Sequence, residues 1–273
     1  MSVSGARVLL HALLLGAAAI TLFPLLWMLS VSFMAGGEAS AFPPPLLPGH
    51  GTLANYRQLF GQQNIGRYLT NSLSLAAMTT LLSLLLNSLA GYAFAKLRVR
   101  AREPLLRVLM AALVIPSQVA MLPLFLMMKW LGLVNTYAAV VVPAMAGIFG
   151  VFLVRQYALT IPDELLEAAR IDGASELRIF TSIVLPALRP ILVTLGVFTF
   201  LGSWNDFMWP LIVLTDQGLY TLPIALATLS REHVQDNELM MAGAVLTVLP
   251  VLALFLSLQR YYIRGILMGS VKG

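Results

Sequence analysis

The chain has 273 residues, of which 59% are hydrophobic and only 11% are charged, and its mean hydropathy is +0.86. This composition excludes an ordinary soluble domain and predicts an all-α, polytopic membrane protein. There is no cysteine and there are only three scattered histidines, so we expect no disulfide, no thiol chemistry and no metal site. The net charge of +5 could indicate nucleic acid in a soluble protein, but charged cytoplasmic loops explain it better.

Six apolar segments are long enough to cross a bilayer, because a membrane-spanning helix needs about 20 mostly apolar residues. The first segment is too long for a cleaved signal peptide and lacks a good cleavage site. No second domain is indicated, so residues 1–273 are interpreted as a single transmembrane domain. The six predicted spans are Val8–Phe33, Leu69–Ala95, Leu105–Met128, Tyr137–Tyr157, Ile191–Val213 and Leu239–Leu258.

The lysine and arginine residues predict how the spans are oriented, since cytoplasmic loops of membrane proteins are enriched in positive charge. Thirteen of them fall on one side of the predicted membrane and four on the other, which places both termini in the cytoplasm. The larger set is Arg7, Lys96, Arg98, Arg100, Arg102, Arg107, Arg155, Arg170, Arg178, Arg189, Arg260, Arg264 and Lys272, and the smaller set is Arg57, Arg67, Lys129 and Arg231.

Prolines predict two departures from regular helix. Phe42-Pro43-Pro44-Pro45 follows the first span and predicts a rigid, extended spacer on the outer side. In the third span Pro116 and Pro123 each remove a backbone hydrogen bond. Such a loss is tolerated at membrane depth only where neighbours or water satisfy the backbone. We therefore expect the third span to be a kinked helix near a cavity.

The second span carries small or polar residues at spacings of three and four, which place them on one helix face. In a membrane, small residues allow close helix packing and polar residues bond across helices. The stripe therefore predicts either helix packing or the lining of a solute path. Its members are Ser72, Ala76, Thr80, Ser83, Asn87 and Gly91.

Residues 162–190 form a long polar stretch on the same side as the termini. Pro162 suits the first turn of a helix, Gly173 offers a left-handed stop, and Ser175 can cap a second short helix. Pro186 and Pro190 are expected to end that second helix. The prediction is two short helices around a tight glycine turn, unless the stretch is only a solvated connector.

Particular residues of this stretch identify a family. It resembles the EAA motif of bacterial ATP-binding-cassette (ABC) importer permeases, in which this loop is the coupling helix. The resemblance implies that the loop docks into a cleft of the ATPase subunit and that Glu167 contacts that partner. The matching residues are Glu167, Ala168, Ala169, Asp172, Gly173, Ala174, Phe180, Ile183, Leu185, Pro186 and Pro190.

The fifth span contains the one ionisable residue that we place inside the membrane, within Gly202-Ser203-Trp204-Asn205-Asp206. Gly196, Thr199, Ser203 and Asp206 share a face if the segment is helical. A carboxylate at membrane depth costs about 2.5–3.5 kcal/mol or more and usually faces a cavity or a partner. Asp206 is therefore either part of a solute path, with Ser203, Trp204, Asn205 and Asn87 of the second span, or a helix-end residue that meets interfacial water. The Ser-Trp-Asn-Asp pattern is similar to a segment typical of carbohydrate permeases.

Two further segments resemble the carbohydrate-uptake subgroup. The loop Thr215–Glu238 contains Leu-Tyr-Thr-Leu-Pro, and the resemblance implies that it faces the solute-binding protein; the alternative is a floppy connector. The C-terminal tail looks like the ending of maltose-type permeases. The resemblance implies that this tail, with Gly269, Lys272 and Gly273, contacts the ATPase subunits.

The resemblance as a whole implies that this chain is one of two membrane subunits of an ABC importer for a sugar or sugar-like solute. The importer would lie in the bacterial inner membrane. The partners of this chain would be a homologous permease in a heterodimer, two ATPase subunits, an extracytoplasmic binding protein and membrane lipid, but no nucleic acid. ATP and Mg²⁺ would be bound by the ATPase subunits and no cofactor by this chain, which lacks a phosphate-binding loop and is not expected to be an enzyme.

Three other functions are alternatives for a chain of this composition. A secondary transporter would need several intramembrane carboxylates, and an intramembrane enzyme would need a catalytic pair within the spans. The nearer alternative is an importer for glycerol phosphate or another non-sugar solute. A phosphate site would favour lysine or arginine in the pathway, and the predicted spans contain only Arg107 and Arg155, each near a cytoplasmic end.

Overall fold

The computed structural model describes residues 3–97, 100–232 and 236–270, with side chains over 7–97, 100–230 and 236–259. All regular structure in these ranges is helical. The α-helices are α1 Val3–Val31, α2 Ala54–Gly61, α3 Ile65–Lys96, α4 Arg102–Ala112, α5 Ser117–Trp130, α6 Tyr137–Ala144, α7 Ile148–Ala158, α8 Asp163–Ile171, α9 Glu176–Ile179, α10 Leu185–Ala187, α11 Arg189–Trp204, α12 Met208–Val213, α13 Leu222–Glu232 and α14 Asn237–Ser270.

The predicted fold class is confirmed. Within the described ranges, four helical segments are long and apolar enough to cross a membrane, and the number rises to six if each of two bent helix pairs counts as one span. The first of them, in α1, has an 18-residue apolar window with none of its residues buried within this chain. The last helix, α14, runs to Ser270 and so extends twelve residues past the predicted end of the sixth span.

The third span is broken and not merely kinked, which corrects the prediction. Its two parts, α4 and α5, meet at 107°. Pro116 takes an extended backbone conformation, with ψ of 130°, immediately before α5 begins. Since proline has no N–H, the chain cannot continue the previous hydrogen-bond ladder at this point. Pro123 lies inside α5 and does not end it.

The fifth predicted span is also interrupted. Helix α11 ends at Trp204 and α12 begins at Met208, so Asp206 lies in a short non-helical link. The prediction that Asp206 continues a helical face with Gly196, Thr199 and Ser203 is therefore wrong in its geometry. The fourth span divides similarly into α6 and α7, where Gly147 adopts an extended conformation before α7.

The chain forms two compact units, of which the first comprises residues up to Arg67 together with Leu222–Leu252. In this unit Asn55 of α2 is buried and donates hydrogen bonds to the carbonyls of Ser32 and Met34, at 3.0 and 2.9 Å. The buried Glu238 carboxylate accepts the Ala39 N–H at 2.7 Å. These bonds fix the irregular segment that follows α1.

The second unit comprises Tyr68–Thr221 and the chain from Ala253 onward, and it has two buried apolar clusters. One joins α3, α7 and α11 to the 162–190 loop. The other gathers around α5, α6 and α12. The first cluster positions the 162–190 loop, and the second positions the residues around Trp209. The first contains Tyr92, Ala95, Val154, Ala158, Ile161, Leu166, Ile179, Phe180, Val184, Leu188 and Leu195; the second contains Leu75, Met128, Ala139, Val140, Val141, Trp209, Val213 and Leu214.

Candidate functional site

The 162–190 loop contains the predicted glycine turn. Gly173 has φ of +82°, and its N–H donates to the Arg170 carbonyl at 3.0 Å while the Ala174 N–H donates to the Ala169 carbonyl at 2.9 Å. This pair of bonds is the Schellman motif, which ends a helix through a left-handed residue. Ser175 then caps the next helix by accepting the Arg178 N–H at 3.3 Å. Both predicted turn signals are confirmed.

The second helix of the loop is longer than predicted. Helical structure runs without a break from Glu176 to Ala187, with a π-helical turn at Phe180–Val184. Pro186 lies inside this stretch and Pro190 at the start of α11, so neither proline ends the helix as expected. The wider π turn precedes Pro186, where a regular α-helix would lose a hydrogen bond. A bend of 77° then separates this stretch from α11.

The loop has an inner and an outer face. Leu166, Ile179 and Phe180 are buried in the first apolar cluster, and Leu166 is only 1% exposed. On the other face, Ile171 is 86% exposed and Leu165 is 49% exposed. Apolar side chains of this size are usually covered when they occur together on a surface.

The residues of the motif are divided between these faces. Glu167, Ala168, Asp172 and Gly173 are exposed. Ala169 and Ala174 are partly buried and pack against the apolar cluster. The loop therefore presents its acidic and small residues outward while the remaining alanines hold it to the unit.

A polar cluster that sequence reasoning missed ties the loop to α3. The Glu176 carboxylate accepts a hydrogen bond from the Tyr92 hydroxyl at 2.7 Å and another from Arg170 Nε at 2.7 Å. Arg170 lies in α8 and Glu176 in α9, so the ion pair joins the two short helices while Tyr92 joins both to α3. We call these three residues the Glu176 clamp. Tyr92 and Glu176 are 84 residues apart in the chain, and no local pattern indicates that they meet.

A second contact joins α3 to the beginning of α8. Lys96 Nζ donates to the Asp163 carboxylate and to the Ile161 carbonyl, both at 2.6 Å. The hydrogen bond and positive charge of Lys96 lower the pKa of Asp163 below its ordinary value of 3.8. Lys96, the last residue of α3, thus anchors the loop in addition to its predicted role in topology.

Helix α3 and the third, fourth and fifth spans surround a cavity of about 440 Å³ in the second unit. Hydroxyl groups of Thr79, Ser117, Thr199 and Ser203 line it, and Asp206 adds a carboxylate. Apolar side chains and the Trp209 ring complete the wall. Irregular backbone at membrane depth is tolerated where it lines such a cavity.

Asp206 is placed at the cavity by the break between α11 and α12. Its carboxylate accepts the N–H of Trp209 at 3.4 Å, and the Trp209 indole donates to the Ala139 carbonyl at 2.9 Å. The Thr79 hydroxyl, also in the wall, is buried and has no hydrogen-bond partner in the described structure. A mainly apolar cavity with a few convergent polar groups is typical of a small-molecule site.

The structure separates the predicted pathway residues. Ser203 and Asp206 line the cavity, whereas Trp204 is buried and stacks on Phe200 with ring centroids 6.0 Å apart. Asn205 is exposed and donates to the Leu201 carbonyl at 2.9 Å. Trp204 and Asn205 are not among the residues of the cavity wall. Trp209, three residues after Asp206, does line the cavity.

Asn87 lies outside the cavity wall, among closely packed helices. It donates to the Ser83 hydroxyl at 2.8 Å, and that hydroxyl is 3.5 Å from the hydroxyl of Thr199, which lines the cavity. Any Cβ at Gly150 would collide with the Asn87 amide. Most of the polar stripe on α3 therefore packs against neighbouring helices.

The outer loop after α12 is ordered between Thr215 and Thr221. Asn71 donates to the carbonyls of Gly218 and Tyr220, at 3.0 and 2.9 Å. The floppy connector considered as an alternative therefore does not describe this part of the loop.

Most of the residues predicted for the tail contact lie outside the described residues. Gly269 belongs to α14, and Lys272 and Gly273 lie outside the described residues.

The fold and these sites define a polytopic helical membrane protein with a partly polar cavity among its spans. Residues 87–267 match the family described as the binding-protein-dependent transport system inner membrane component. The chain belongs to this family and is a permease subunit of an ABC importer whose ATPase is a separate subunit.

Relatives align along nearly the whole chain. It is 41% identical to the arabinooligosaccharides transport system permease protein AraQ of Halalkalibacterium halodurans, over 94% of this chain and 93% of that protein. It is 34% identical to the lactose transport system permease protein LacG of Rhizobium radiobacter, over 94% of this chain and 93% of that protein. It is 32% identical to the sn-glycerol-3-phosphate transport system permease protein UgpE of Escherichia coli, over 94% of each.

A solved structure shares the fold. A chain of a bacterial ABC transporter involved in the import of the acidic polysaccharide alginate superposes with a TM-score of 0.85, over 96% of this chain and 98% of that one, at 22% identity.

Proposed function

We propose that this permease imports a neutral sugar or oligosaccharide, as one of two different membrane subunits. Two ATPase subunits, which bind ATP and Mg²⁺, and an extracytoplasmic binding protein complete the transporter. The chain lies in the bacterial inner membrane with both termini in the cytoplasm, as the distribution of lysine and arginine indicates. Relatives named for arabinooligosaccharide and lactose transport support the sugar assignment, and both are more similar than the relative named for glycerol phosphate.

The observation that carries the coupling proposal is the two-faced structure of the 162–190 loop. Its inner face is buried against α3 and α7 while Glu167, Leu165 and Ile171 point to the outside. A surface with exposed apolar groups beside an acidic group suits a partner with an apolar cleft and a basic rim. The ATPase subunit would be that partner, and its closure on ATP would move the loop.

Movement of the loop would reach α3 through two contacts. The Glu176 clamp connects both short helices to Tyr92, and the Lys96–Asp163 pair connects the beginning of α8 to the end of α3. Helix α3 also contributes Thr79 to the cavity. The loop, α3 and the cavity wall would therefore move as connected parts during alternating access.

The cavity favours a neutral, hydroxyl-rich solute over a phosphate. Its four hydroxyl groups and the Asp206 carboxylate can exchange hydrogen bonds with sugar hydroxyls, and the Trp209 ring offers an apolar face. The described wall contains neither lysine nor arginine, and Asp206 would repel a phosphate dianion. The chemistry of this wall thus argues against glycerol phosphate as the solute.

The substrate class is tested by reconstituting the complete transporter with its binding protein in proteoliposomes. Uptake and ATP hydrolysis are measured with a panel of neutral mono- and oligosaccharides and with glycerol phosphate. We expect stimulation by a neutral sugar. Stimulation by glycerol phosphate alone would contradict the sugar assignment and leave the family assignment intact.

The cavity is tested with Asp206→Asn, which keeps the size of the side chain and removes its charge. Hydrogen bonds to a charged group contribute about 1 kcal/mol more than neutral ones, which corresponds to an approximately fivefold change in half-saturating solute concentration. Glu103→Gln is the matched control, because Glu103 lies in α4, outside the cavity wall, and its side chain is 57% exposed. Transport per assembled complex is measured against solute concentration. An unchanged half-saturating concentration and maximum rate in Asp206→Asn would make Asp206 structural and move the solute site to the partner permease.

A further inference from the structure

Threonines in the helices of this chain commonly bond to their own backbone. Thr80 donates its hydroxyl to the Ala76 carbonyl at 2.6 Å, and Thr194, Thr228 and Thr247 each bond in the same way to the carbonyl four residues earlier. This bond is the ordinary local arrangement for threonine in a helix. A helical threonine therefore needs no ligand to satisfy its hydroxyl.

Two threonines in the wall of the 440 Å³ cavity depart from this arrangement. Thr79 is 1% exposed, and its hydroxyl has no hydrogen-bond partner within the described part of the chain. The Thr199 hydroxyl lies 3.5 Å from the hydroxyl of Ser83 on the facing helix. A hydroxyl has one proton to donate and two lone pairs to accept with. Both wall threonines therefore keep free hydrogen-bonding capacity beside the cavity.

The unpaired hydroxyl of Thr79 destabilises this arrangement of the protein. Burial removes water from the hydroxyl, and no hydrogen bond from the described chain replaces it. Buried polar groups without a partner are rare in folded proteins, so each of them calls for an explanation. Thr80, the next residue of the same helix, satisfies its hydroxyl on its own backbone. The different state of Thr79 indicates a partner that is present during only part of the transport cycle.

We infer that Thr79 and Thr199 form a solute-binding pair, in which each residue exchanges a hydrogen bond with a hydroxyl of the transported sugar. The inference rests on the proposed function, because it requires the cavity to be a solute site. Thr79 belongs to α3 and Thr199 to α11, so a bound sugar bridges the two helices. The Thr79 hydroxyl is covered in this conformation, and the helices around it must separate before the sugar reaches it.

Both bridged helices lead to the 162–190 loop. Helix α3 runs without a break from Thr79 to Tyr92, 13 residues further on, which is about 20 Å along the helix axis. Tyr92 is the α3 member of the Glu176 clamp. Helix α11 begins at Arg189, at the end of the loop. A sugar held by the pair therefore favours one arrangement of the two helices that the loop also contacts.

The pair is tested with Thr79→Val and Thr199→Val, which each remove a hydroxyl and nearly keep the shape of the side chain. The matched controls are Thr80→Val in α3 and Thr194→Val in α11, whose hydroxyls bond to their own helices and lie outside the cavity wall. Uptake of lactose and of arabinotriose is measured against sugar concentration in proteoliposomes with the complete transporter and its binding protein. The thermal stability of the sugar-free complex is measured in parallel.

We expect the half-saturating sugar concentration to rise about two- to twelvefold in Thr79→Val and in Thr199→Val, which corresponds to the loss of one neutral hydrogen bond. Thr79→Ser, which keeps the hydroxyl, and both controls should retain the wild-type value. Thr79→Val should not lower the thermal stability, because the hydroxyl that it removes has no partner in the described chain. A structural role would have the opposite effect on stability.

A wild-type half-saturating concentration in either cavity variant would overturn the pair, while a change in Asp206→Asn would still keep the cavity as the solute site. Wild-type values in all three variants would refute the cavity as well. Lower stability or failed assembly of Thr79→Val would show that its hydroxyl binds a side chain, for example one of the partner permease, and would also overturn the pair. Uptake of neither sugar by the wild type would contradict the sugar assignment on which the pair rests.

Discussion

The Glu176 clamp leads to a quantitative prediction for Tyr92→Phe. This change removes one hydroxyl and keeps the ring, which is 3% exposed and packs on Phe180 with ring centroids 5.6 Å apart. The lost hydrogen bond, 2.7 Å long, goes to a carboxylate, for which the usual contribution is about 1.5–3 kcal/mol. The Glu176 side chain is 48% exposed, so water replaces part of the bond and about 1 kcal/mol is the better value.

A loss of about 1 kcal/mol changes an equilibrium about fivefold. If the clamp keeps α3 moving with the loop, Tyr92→Phe should lower the solute transported per ATP hydrolysed by up to about fivefold, while ATPase binding is unchanged because Tyr92 is buried beneath the docking face. Glu176→Gln should have a larger effect, since it also weakens the pair with Arg170.

The assay is simultaneous measurement of uptake and ATP hydrolysis in proteoliposomes that contain the complete transporter. Tyr157→Phe is the matched control, because Tyr157 packs against the same apolar cluster and should keep the wild-type ratio. A wild-type ratio of transport to hydrolysis in both Tyr92→Phe and Glu176→Gln would refute the clamp as a transmitting contact. An equal fall in Tyr157→Phe would show that the cluster tolerates no change, and would refute it too.

Three other predictions each involve a change at a residue of the 162–190 loop. Gly173→Val should leave membrane insertion intact and abolish transport or weaken ATPase binding, measured by co-purification, because a β-branched residue is strained at φ of +82°; full transport would remove the role of the turn. The Lys96–Asp163 pair should stabilise the protein equally between pH 8 and pH 5, since a lowered carboxyl pKa gives stability that is present above the ordinary value of 3.8 and is lost as the pH falls through the lowered one. The difference in Tm between the wild type and Asp163→Asn should therefore shrink only in strong acid, and shrinkage already at pH 6 would contradict the assigned cause. In intact cells an impermeant thiol reagent should label Gln217→Cys and spare Glu164→Cys, both exposed positions, and the reverse pattern would invert the proposed topology.

The sequence by itself determined the local features of this protein. The six apolar segments, the glycine stop at Gly173 and the cap at Ser175 follow from patterns a few residues long, because hydrophobic length, positive φ and capping act locally. The motif around Glu167 identified the family for the same reason, since it is contiguous.

Only the tertiary structure decided which of these residues work together. Pro116 and Pro123 look alike in sequence, yet the chain breaks at the first and continues helically through the second, because neighbouring helices determine where a freed backbone group can be satisfied. The break before α12 moved Asp206 off the helix and into a cavity wall with Thr79 and Ser117. The clamp between Tyr92 and Glu176 spans 84 positions, and contacts at such a separation are set by how helices pack and not by the residues beside them in the chain.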